Sequence, residues 1–153
     1  MHSLELRVPP LALVVVAAAL MALLAWLFPR PALVFPAPYA LGGALVGLGA
    51  VIAIAGVLAF RRAHTTFNPM KPGSSSSVVS TGVYRLTRNP MYLGFLLALA
   101  GWGAMLGNLL GLLPLAAFVA WMNRFQIAPE ERALREKFGA DFEDYMHRVR
   151  RWV

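Results

Sequence analysis

The stretch GVYRLTRNPMYLG at residues 82–94 marks the point where a polar, doubly basic segment runs straight into a long apolar region. Pro90 suits the first turn of a helix, because it fixes φ and lacks an N–H that would have no helical partner there. Asn89 is a favoured N-cap residue, and a following proline disfavours helical geometry at its position. The stretch therefore predicts that a helix begins at Pro90 and continues into the apolar region.

Three apolar regions set the architecture around this helix start. Residues 11–28 and 40–60 carry no charged side chain, and as helices they would be roughly 27 and 32 Å long, enough to cross a bilayer. Residues 91–122 are interrupted by Gly107 and Asn108, which leaves two halves of roughly 24 Å and favours a short helical hairpin. We therefore expect an all-α integral membrane protein with four transmembrane helices, of which the last two form a short hairpin.

The composition agrees with a membrane protein. The chain is 59% hydrophobic and only 14% charged, which is too apolar for an ordinary soluble domain. Its 153 residues allow one domain, in which residues 1–60 form a two-helix membrane anchor. Cysteine is absent, so we expect no disulfide, no catalytic thiol and no thiolate metal site, and the sequence predicts no other clustered metal site. The predicted spans contain no Asp, Glu, Lys or Arg, which argues against an ion-coupled transporter.

Basic residues define the orientation in the membrane. Of the 14 lysines and arginines, 13 flank the predicted helices on one side and only Arg30 lies in a loop on the other. The positive-inside rule then places both termini, the loop at residues 61–90 and any active site beside it in the cytoplasm, as in a multi-pass protein of the bacterial inner membrane. The net charge of +7 reflects this topology and attraction to anionic lipid. The expected partner is therefore the lipid bilayer, with no nucleic acid.

The helix start near Pro90 has the chemistry of an anion site. Free backbone N–H groups at the beginning of a helix attract negative groups, and Arg85 and Arg88 stand beside them in the sequence. Tyr84 and Tyr92 offer aromatic faces to a cation or a planar ring. An equally good interpretation is that the arginines and tyrosines anchor the chain at the membrane interface.

The C-terminal region predicts an amphipathic helix on the membrane surface. Glu130 and Glu131 follow Pro129, an order that a helix N-terminus favours for its own sake and that equally allows a carboxylate to bind a ligand. An apolar stripe then recurs at helical spacing, with charged residues between its members and a bend near Gly139. The stripe consists of Leu134, Phe138, Phe142, Tyr145, Val149 and Trp152.

Glycines in the apolar regions recur at four-residue spacing. Gly43 and Gly47 form one such pair, and Gly103, Gly107 and Gly111 form a second set. Small residues at this spacing let helix backbones approach closely in membranes. We therefore expect these glycines at helix–helix contacts, in a monomer or a homodimer.

The order and spacing of these elements carry a family resemblance. The Arg88-Asn89-Pro90-x-Tyr92-x-Gly94 element, the Glu130-Glu131 pair and the Phe138-Gly139 pair together resemble the isoprenylcysteine carboxyl methyltransferase family and the related phospholipid methyltransferases. The resemblance covers about residues 64–153 and implies an integral membrane enzyme that uses S-adenosyl-L-methionine. It makes residues 61–153 the cofactor-binding and catalytic region, and it implies a lipophilic acceptor such as an isoprenylcysteine-like carboxylate.

The resemblance also implies individual site residues. Tyr92 and Glu130 are expected to act in catalysis, with the glutamate in the cofactor site. Gln126 stands where the eukaryotic enzymes place an arginine thought to face the substrate carboxylate, so it is expected to bind substrate. Asn89 replaces the family's common histidine, and an amide can hydrogen-bond the cofactor but cannot be a general base. The expected cofactor-binding residues are Ser76, Ser77, Val78, Val79, Tyr84, Asn89, Pro90, Met91, Tyr92 and Glu130.

Methyl transfer from a sulfonium is an in-line displacement, so the protein must mainly align the reactants and exclude water. A carboxylate or thiolate acceptor needs no base, whereas an amine must lose a proton, for which His64 and Tyr92 are the candidates. Two other functions fit the same architecture: an NADPH-dependent membrane reductase of the sterol reductase type, and a non-catalytic membrane subunit. Binding of S-adenosyl-L-methionine, of NADPH or of neither distinguishes the three.

Overall fold

The computed structural model describes residues 4–29, 32–63 and 76–153, and over these residues the chain is helical apart from loops and one isolated bridge. The prediction of an all-α protein is therefore confirmed. Short 3₁₀ turns at Gly82–Arg85 and Leu109–Gly111 and a π-helical turn at Met122–Ile127 connect the α-helices. The α-helices are α1 (Pro10–Leu27), α2 (Pro38–Arg62), α3 (Pro90–Leu106), α4 (Leu112–Trp121), α5 (Ala128–Phe138) and α6 (Ala140–Arg148).

Three of the described helical segments are long and apolar enough to cross a membrane by length and composition. They are Pro10–Leu27, Pro38–Arg62 and Leu109–Phe138, while the 17-residue α3 is a shorter apolar helix. In the apolar windows of α1 and α2, only 17% and 11% of the residues are buried inside the protein. The outward faces of these helices are apolar, so they require lipid around them.

Prolines begin the first three α-helices, as the sequence predicts for Pro90. Pro10, Pro38 and Pro90 each lie at the first helical position, where a missing N–H costs nothing. The helix α3 ends at Gly107, whose φ of +58° is left-handed and suits glycine. The predicted interruption at residues 107–108 is confirmed.

The last apolar helix continues beyond its predicted end near residue 122. It runs without a break through the π turn to Phe138, a segment of 30 residues and roughly 45 Å. Pro129 lies in the first turn of α5, as predicted, but α5 follows the π turn without a break in the helix. As a consequence, the acidic pair Glu130 and Glu131 lies on the same continuous helical segment as α4.

Two glycine pairs bring α2 and α3 into backbone contact. A Cβ added to Gly49 or to Gly94 would overlap the carbonyl oxygen of the other residue, and Gly42 and Gly101 are related in the same way. On each helix the two contact glycines are seven residues apart, which is close to two turns. The two helices therefore stay close over several turns and hold the start of α3 firmly.

The glycines at four-residue spacing behave differently. A Cβ added to Gly43 or Gly47 would meet nothing within 4 Å, so the expectation of a contact within the monomer is wrong for this pair. Gly103 does approach the Met21 side chain of α1. The physical reason is that the face of α2 toward α3 repeats every seven residues, and neither Gly43 nor Gly47 lies in that register.

Two apolar clusters position the polar residues of the candidate site. The first joins α1, α3, α4 and the π turn, and consists of Ala17, Met21, Tyr92, Leu99, Phe118, Met122 and Ile127. The second packs α6 against the segment before α3, and consists of Val79, Tyr84, Phe142, Tyr145 and Val149. The predicted amphipathic stripe is confirmed from Leu134 to Tyr145, and Gly139, with φ +52°, provides the bend between α5 and α6. Trp152 lies beyond the end of α6 at Arg148 and packs against the first cluster instead.

Candidate active site

Three side chains meet in a hydrogen-bonded centre between α3 and the helix that runs from the π turn into α5. The phenol of Tyr92 donates to Oε1 of Glu130 over 2.6 Å. The amide of Gln126 donates to the same oxygen over 2.5 Å and to the Tyr92 hydroxyl over 3.3 Å. Tyr92 and Gln126 are 3% and 2% exposed, so water does not compete for these hydrogen bonds.

Glu130 keeps one carboxylate oxygen for another partner. Both donors converge on Oε1, and no residue that the structure describes donates to Oε2. A carboxylate held in this way is fixed through one oxygen and can accept through the other. It can therefore bind a hydroxyl, amino or ammonium group of a small molecule.

The π turn gives Gln126 its direction. In Met122–Ile127 the carbonyl of Asn123 accepts from the N–H of Ala128, five residues on, so this turn holds more residues than a turn of α-helix. Gln126 and Glu130 are four residues apart and lie on the same side of the continuous helix formed by the π turn and α5. Both side chains consequently face α3.

A partly buried ion cluster lies next to this centre. The carboxylate of Glu131 accepts from Arg88 Nη2 at 2.8 Å, and from Arg151 Nη2 at 2.5 Å and Nε at 3.1 Å. Arg88 also donates to the carbonyl oxygens of Met146 and Val149 at the end of α6, where a helix attracts positive charge. The expectation that Arg88 flanks an anion site is therefore wrong, because its guanidinium is committed to α5 and α6.

The segment after α6 returns to the start of α3. The carbonyl oxygen of Arg151 accepts from Asn89 Nδ2 at 2.9 Å and from Thr87 Oγ1 at 3.3 Å. Trp152 Nε1 donates to Asn123 Oδ1 of the π turn at 3.1 Å. Asn89 occupies the predicted N-cap position, but its side chain makes no capping bond and holds the returning segment instead.

A polar cleft of about 470 Å³ opens between α6 and the segment before α3. Three of the expected cofactor-binding residues, Ser76, Ser77 and Val78, line this cleft, and Val79 is buried beside them. Its volume and mixed lining suit a small polar molecule. The other lining residues are Ser80, Phe138, Asp141, Asp144, Tyr145 and Arg148.

Tyr84 is held between α2 and α6, next to the cleft. Its backbone carbonyl accepts from the phenol of Tyr145 at 2.7 Å, and its ring lies edge-on to Phe60 with 5.4 Å between the centroids. Burial raises the pKa of Tyr84 far above its ordinary value, and the nearby Tyr145 and Glu130 raise it further. Burial also raises the pKa of Tyr145, against a smaller opposing effect of the Arg88 charge. Both phenols therefore remain neutral hydrogen-bond donors at physiological pH.

The expected site residues fall into two groups. Tyr92, Gln126 and Glu130 contact one another, whereas the lining of the cleft includes residues 76–78 but neither Tyr92 nor Glu130. The side chains of Pro90 and Met91 lie against Gly56 of α2, so these two residues can offer a ligand only the backbone of the helix start. His64, the other candidate base, lies outside the described residues.

An apolar groove of about 620 Å³ lies between α3 and α4. Leu96 stands one turn after Tyr92, and Asn123 stands three residues before Gln126, so the lining approaches the hydrogen-bonded centre along both helices without including its three residues. The lining is aliphatic except for Asn123. The lining residues are Leu96, Leu112, Leu115, Ala116, Val119, Ala120 and Asn123.

The residues that sequence reasoning missed are those that fix the centre in place. Asn123, Arg151 and Trp152 hold the π turn and α5 against the start of α3. One signal was present, because Asn123 is a polar residue directly after a long apolar run. In residues 4–29, 32–63 and 76–153, no three histidine, aspartate or glutamate side chains lie close enough together to hold a metal ion.

Known proteins similar to this chain include methyltransferases. The phospholipid methyltransferase family matches residues 37–141, more than half of the chain. A probable protein-S-isoprenylcysteine O-methyltransferase of Oryza sativa subsp. indica is 34% identical over 112 residues, which cover 71% of this chain and 57% of that protein. Protein-S-isoprenylcysteine O-methyltransferase B of Arabidopsis thaliana is 28% identical over 102 residues, which cover 67% of this chain and 52% of that protein.

A bacterial relative covers a shorter stretch. An uncharacterized protein of Haemophilus influenzae is 46% identical over 63 residues, which are 41% of this chain and 100% of that protein. The chain spans just over half the length of the plant relatives it matches. No solved structure matches it. The family match includes all three residues of the hydrogen-bonded centre, Tyr92, Gln126 and Glu130.

Proposed function

Because the chain belongs to the phospholipid methyltransferase family, we propose that it is an integral membrane methyltransferase that takes its methyl group from S-adenosyl-L-methionine. The observation that carries this proposal is the convergence of Tyr92 and Gln126 on one oxygen of Glu130. No described residue donates to the second oxygen of this carboxylate, and we propose that this oxygen takes the ligand. The family resemblance assigns a cofactor contact to the same glutamate.

The proposed topology has four membrane spans. The helices α1, α2 and the apolar part of Leu109–Phe138 before Arg124 would supply three spans, and α3, with 17 residues and roughly 26 Å, would span where the bilayer adapts to it. The 13 basic residues on one side and Arg30 on the other support cytoplasmic termini in a bacterial inner membrane. The hydrogen-bonded centre then faces the cytoplasm.

The residues present fit the proposed cofactor in charge and in polarity. S-adenosyl-L-methionine carries an ammonium, a sulfonium and ribose hydroxyls, and carboxylates and aromatic faces bind such groups. Glu130 Oε2 would accept from the hydroxyl or amino groups, and the cleft lined by residues 76–78 would hold a polar part. When bound, the cofactor supplies a methyl group on a sulfur that leaves readily.

The residues of the chain have mainly positioning roles in this reaction. Glu130 would hold the cofactor, which would supply its methyl group to a lone pair of the acceptor and leave as a neutral thioether. A carboxylate or thiolate acceptor already carries the charge, so no proton has to move. Gln126 and Tyr92 fix the Glu130 carboxylate, and the apolar cluster around Tyr92 excludes water from it.

The acceptor is proposed to be lipophilic and to enter from the bilayer. The groove between α3 and α4 supports this route, because its walls are aliphatic and its volume of about 620 Å³ is in the range of ligand sites. An isoprenylcysteine-like carboxylate fits this geometry: its apolar chain would lie along the groove and its polar end would reach Tyr92 and Gln126.

Calorimetric titration of the detergent-purified protein with S-adenosylhomocysteine tests the cofactor assignment. Glu130→Ala and Tyr92→Phe should each weaken binding about tenfold or more, because each removes a hydrogen bond to a charged group. The matched controls are Glu143→Ala and Tyr39→Phe, which change exposed side chains on α6 and at the start of α2. The controls should bind as the unchanged protein does.

The acceptor is tested separately, by transfer of a labelled methyl group to an N-acetylated S-prenylcysteine in lipid vesicles. Methylation of water-soluble acceptors alone would overturn the lipophilic part of the proposal. Absence of S-adenosylhomocysteine binding by folded protein would overturn the cofactor. In that event NADPH binding would indicate a reductase, and binding of neither compound would indicate a non-catalytic subunit.

A further inference from the structure

The segment at residues 4–7 is tied to the π turn at one point and to α5 at another. The N–H of Leu6 donates to the carbonyl oxygen of Phe125 at 3.0 Å. The carboxylate of Glu5 forms an ion pair with Arg132, with 2.6 Å between Oε2 and Nη2. The two contacts, at Phe125 and Arg132, flank the part of the helix that carries Gln126 and Glu130.

The contact at Phe125 has a specific physical cause. In an α-helix this carbonyl would accept from the residue four positions on, but that residue is Pro129, which has no N–H and whose ring clashes with the carbonyl. The π turn at Met122–Ile127 relieves such a clash by opening the helix. The carbonyl is then free to turn outward, and the N–H of Leu6 satisfies it.

The donor is held in an unusual conformation. Leu6 has a φ of +57°, in the left-handed region that residues with a Cβ rarely adopt. Such a conformation persists only where the surrounding contacts determine it. Glu5 provides one of those contacts, since 17% of its side chain is exposed and its carboxylate is paired with Arg132.

We propose that Glu5 is a positioning residue for the candidate active site. By anchoring residues 4–7 to Arg132, it presents the Leu6 N–H to Phe125 and keeps the π turn in the register that directs Gln126 at Glu130. Without this anchor the π turn loses its external donor, and the amide that fixes Glu130 Oε1 is no longer held in place. The consequence for catalysis rests on the proposed methyltransferase function, but the consequence for the π turn does not.

Hydrogen–deuterium exchange of the full-length protein in detergent tests the structural part. In Glu5→Ala, amides in residues 122–131 should exchange on the order of tenfold faster, because the turn opens more often. The matched control is Glu143→Ala, which breaks the exposed ion pair with Arg135 at 3.7 Å and should leave this region unchanged. The charge exchange Glu5→Arg with Arg132→Glu should restore slow exchange. Unchanged exchange in Glu5→Ala would overturn the proposal.

Kinetics of the same variants test the catalytic part. Glu5→Ala should lower kcat on the order of tenfold, because Glu130 is misaligned, while the acceptor KM changes less than about twofold because the groove is untouched. Glu5→Gln keeps an acceptor oxygen for Arg132 and should retain more activity, so it also serves if Glu5→Ala fails to fold. If the unchanged protein binds no S-adenosylhomocysteine, the proposed function fails, yet the exchange measurement still decides the role of Glu5.

Discussion

Arg88 lies 2.8 Å from Glu131, measured from Nη2 to Oε1, although 43 residues separate them in the chain. Only 13% and 14% of their side chains are exposed. Arg151 pairs with the same carboxylate, and Arg88 reaches the last carbonyls of α6. The cluster thereby joins the start of α3 to α5, α6 and the returning segment, which makes it a stability element beside the candidate site.

The first prediction concerns this cluster. Glu131→Ala leaves two guanidinium groups without their shared partner, and we expect a loss of about 3 kcal/mol in the free energy of unfolding. Thermal unfolding in detergent measures it. Glu143→Ala is the control, because its pair with Arg135 is half exposed and should contribute less than about 1 kcal/mol. Equal melting temperatures for the two variants would show that the cluster does not stabilise the fold.

The second prediction concerns the contact between α2 and α3. Gly94→Ala places a methyl group against the backbone carbonyl of Gly49. The clash can be relieved only if α2 and α3 move apart. We expect a destabilisation of about 1–3 kcal/mol or more. Gly43→Ala is the matched control on α2, since its Cβ would meet no atom within 4 Å. Size-exclusion profiles after graded heating compare the two, and a Gly94→Ala protein as stable as the control would contradict the packing described.

These two contacts show what the sequence could and could not predict about the fold. The helix start at Pro90 and the break at Gly107 follow from local backbone chemistry, so both were predicted. The contact glycines were not predicted, because Gly43 and Gly49 are the same residue type and differ only in the side of α2 on which they lie. That side depends on where α3 lies, which no local rule contains.

In the candidate site, too, some features could be predicted from the sequence and others could not. Tyr92 and Glu130 were expected from the family resemblance, and the structure brings them together. The continuity of α5 with α4 was not predicted, because the Phe125 carbonyl, which finds no helical donor at Pro129, accepts from Leu6, a residue far away in the chain. The pairing of Arg88 with Glu131 is likewise a long-range event that residue types alone do not specify.

The third prediction isolates backbone strain at the bend between α5 and α6. Gly139 has φ +52° and ψ −126°, while a Cβ there would meet nothing within 4 Å. Gly139→Ala therefore adds no clash, and we expect a cost of about 1–3 kcal/mol from the disfavoured conformation alone. Exchange of the α6 amides should accelerate. Gly43→Ala, helical and equally uncrowded, is the control, and equal exchange in both variants would refute the strain.

The last prediction separates the groove from the membrane-facing surface beside it. Ala116 lines the groove between α3 and α4, whereas its neighbour Ala117 is exposed but absent from the lining. A phenylalanine at position 116 would fill part of the volume that the acceptor chain is proposed to occupy.

Ala116→Phe should therefore lower kcat/KM for a prenylated acceptor roughly tenfold or more. It should leave S-adenosylhomocysteine binding unchanged, because the proposed cofactor contacts do not line the groove. Ala117→Phe adds the same side chain toward lipid and should alter neither quantity. Methyl transfer assays in vesicles, paired with calorimetry, measure both. Equal loss in the two variants would indicate a general effect on α4, and no loss in Ala116→Phe would move the acceptor route away from this groove.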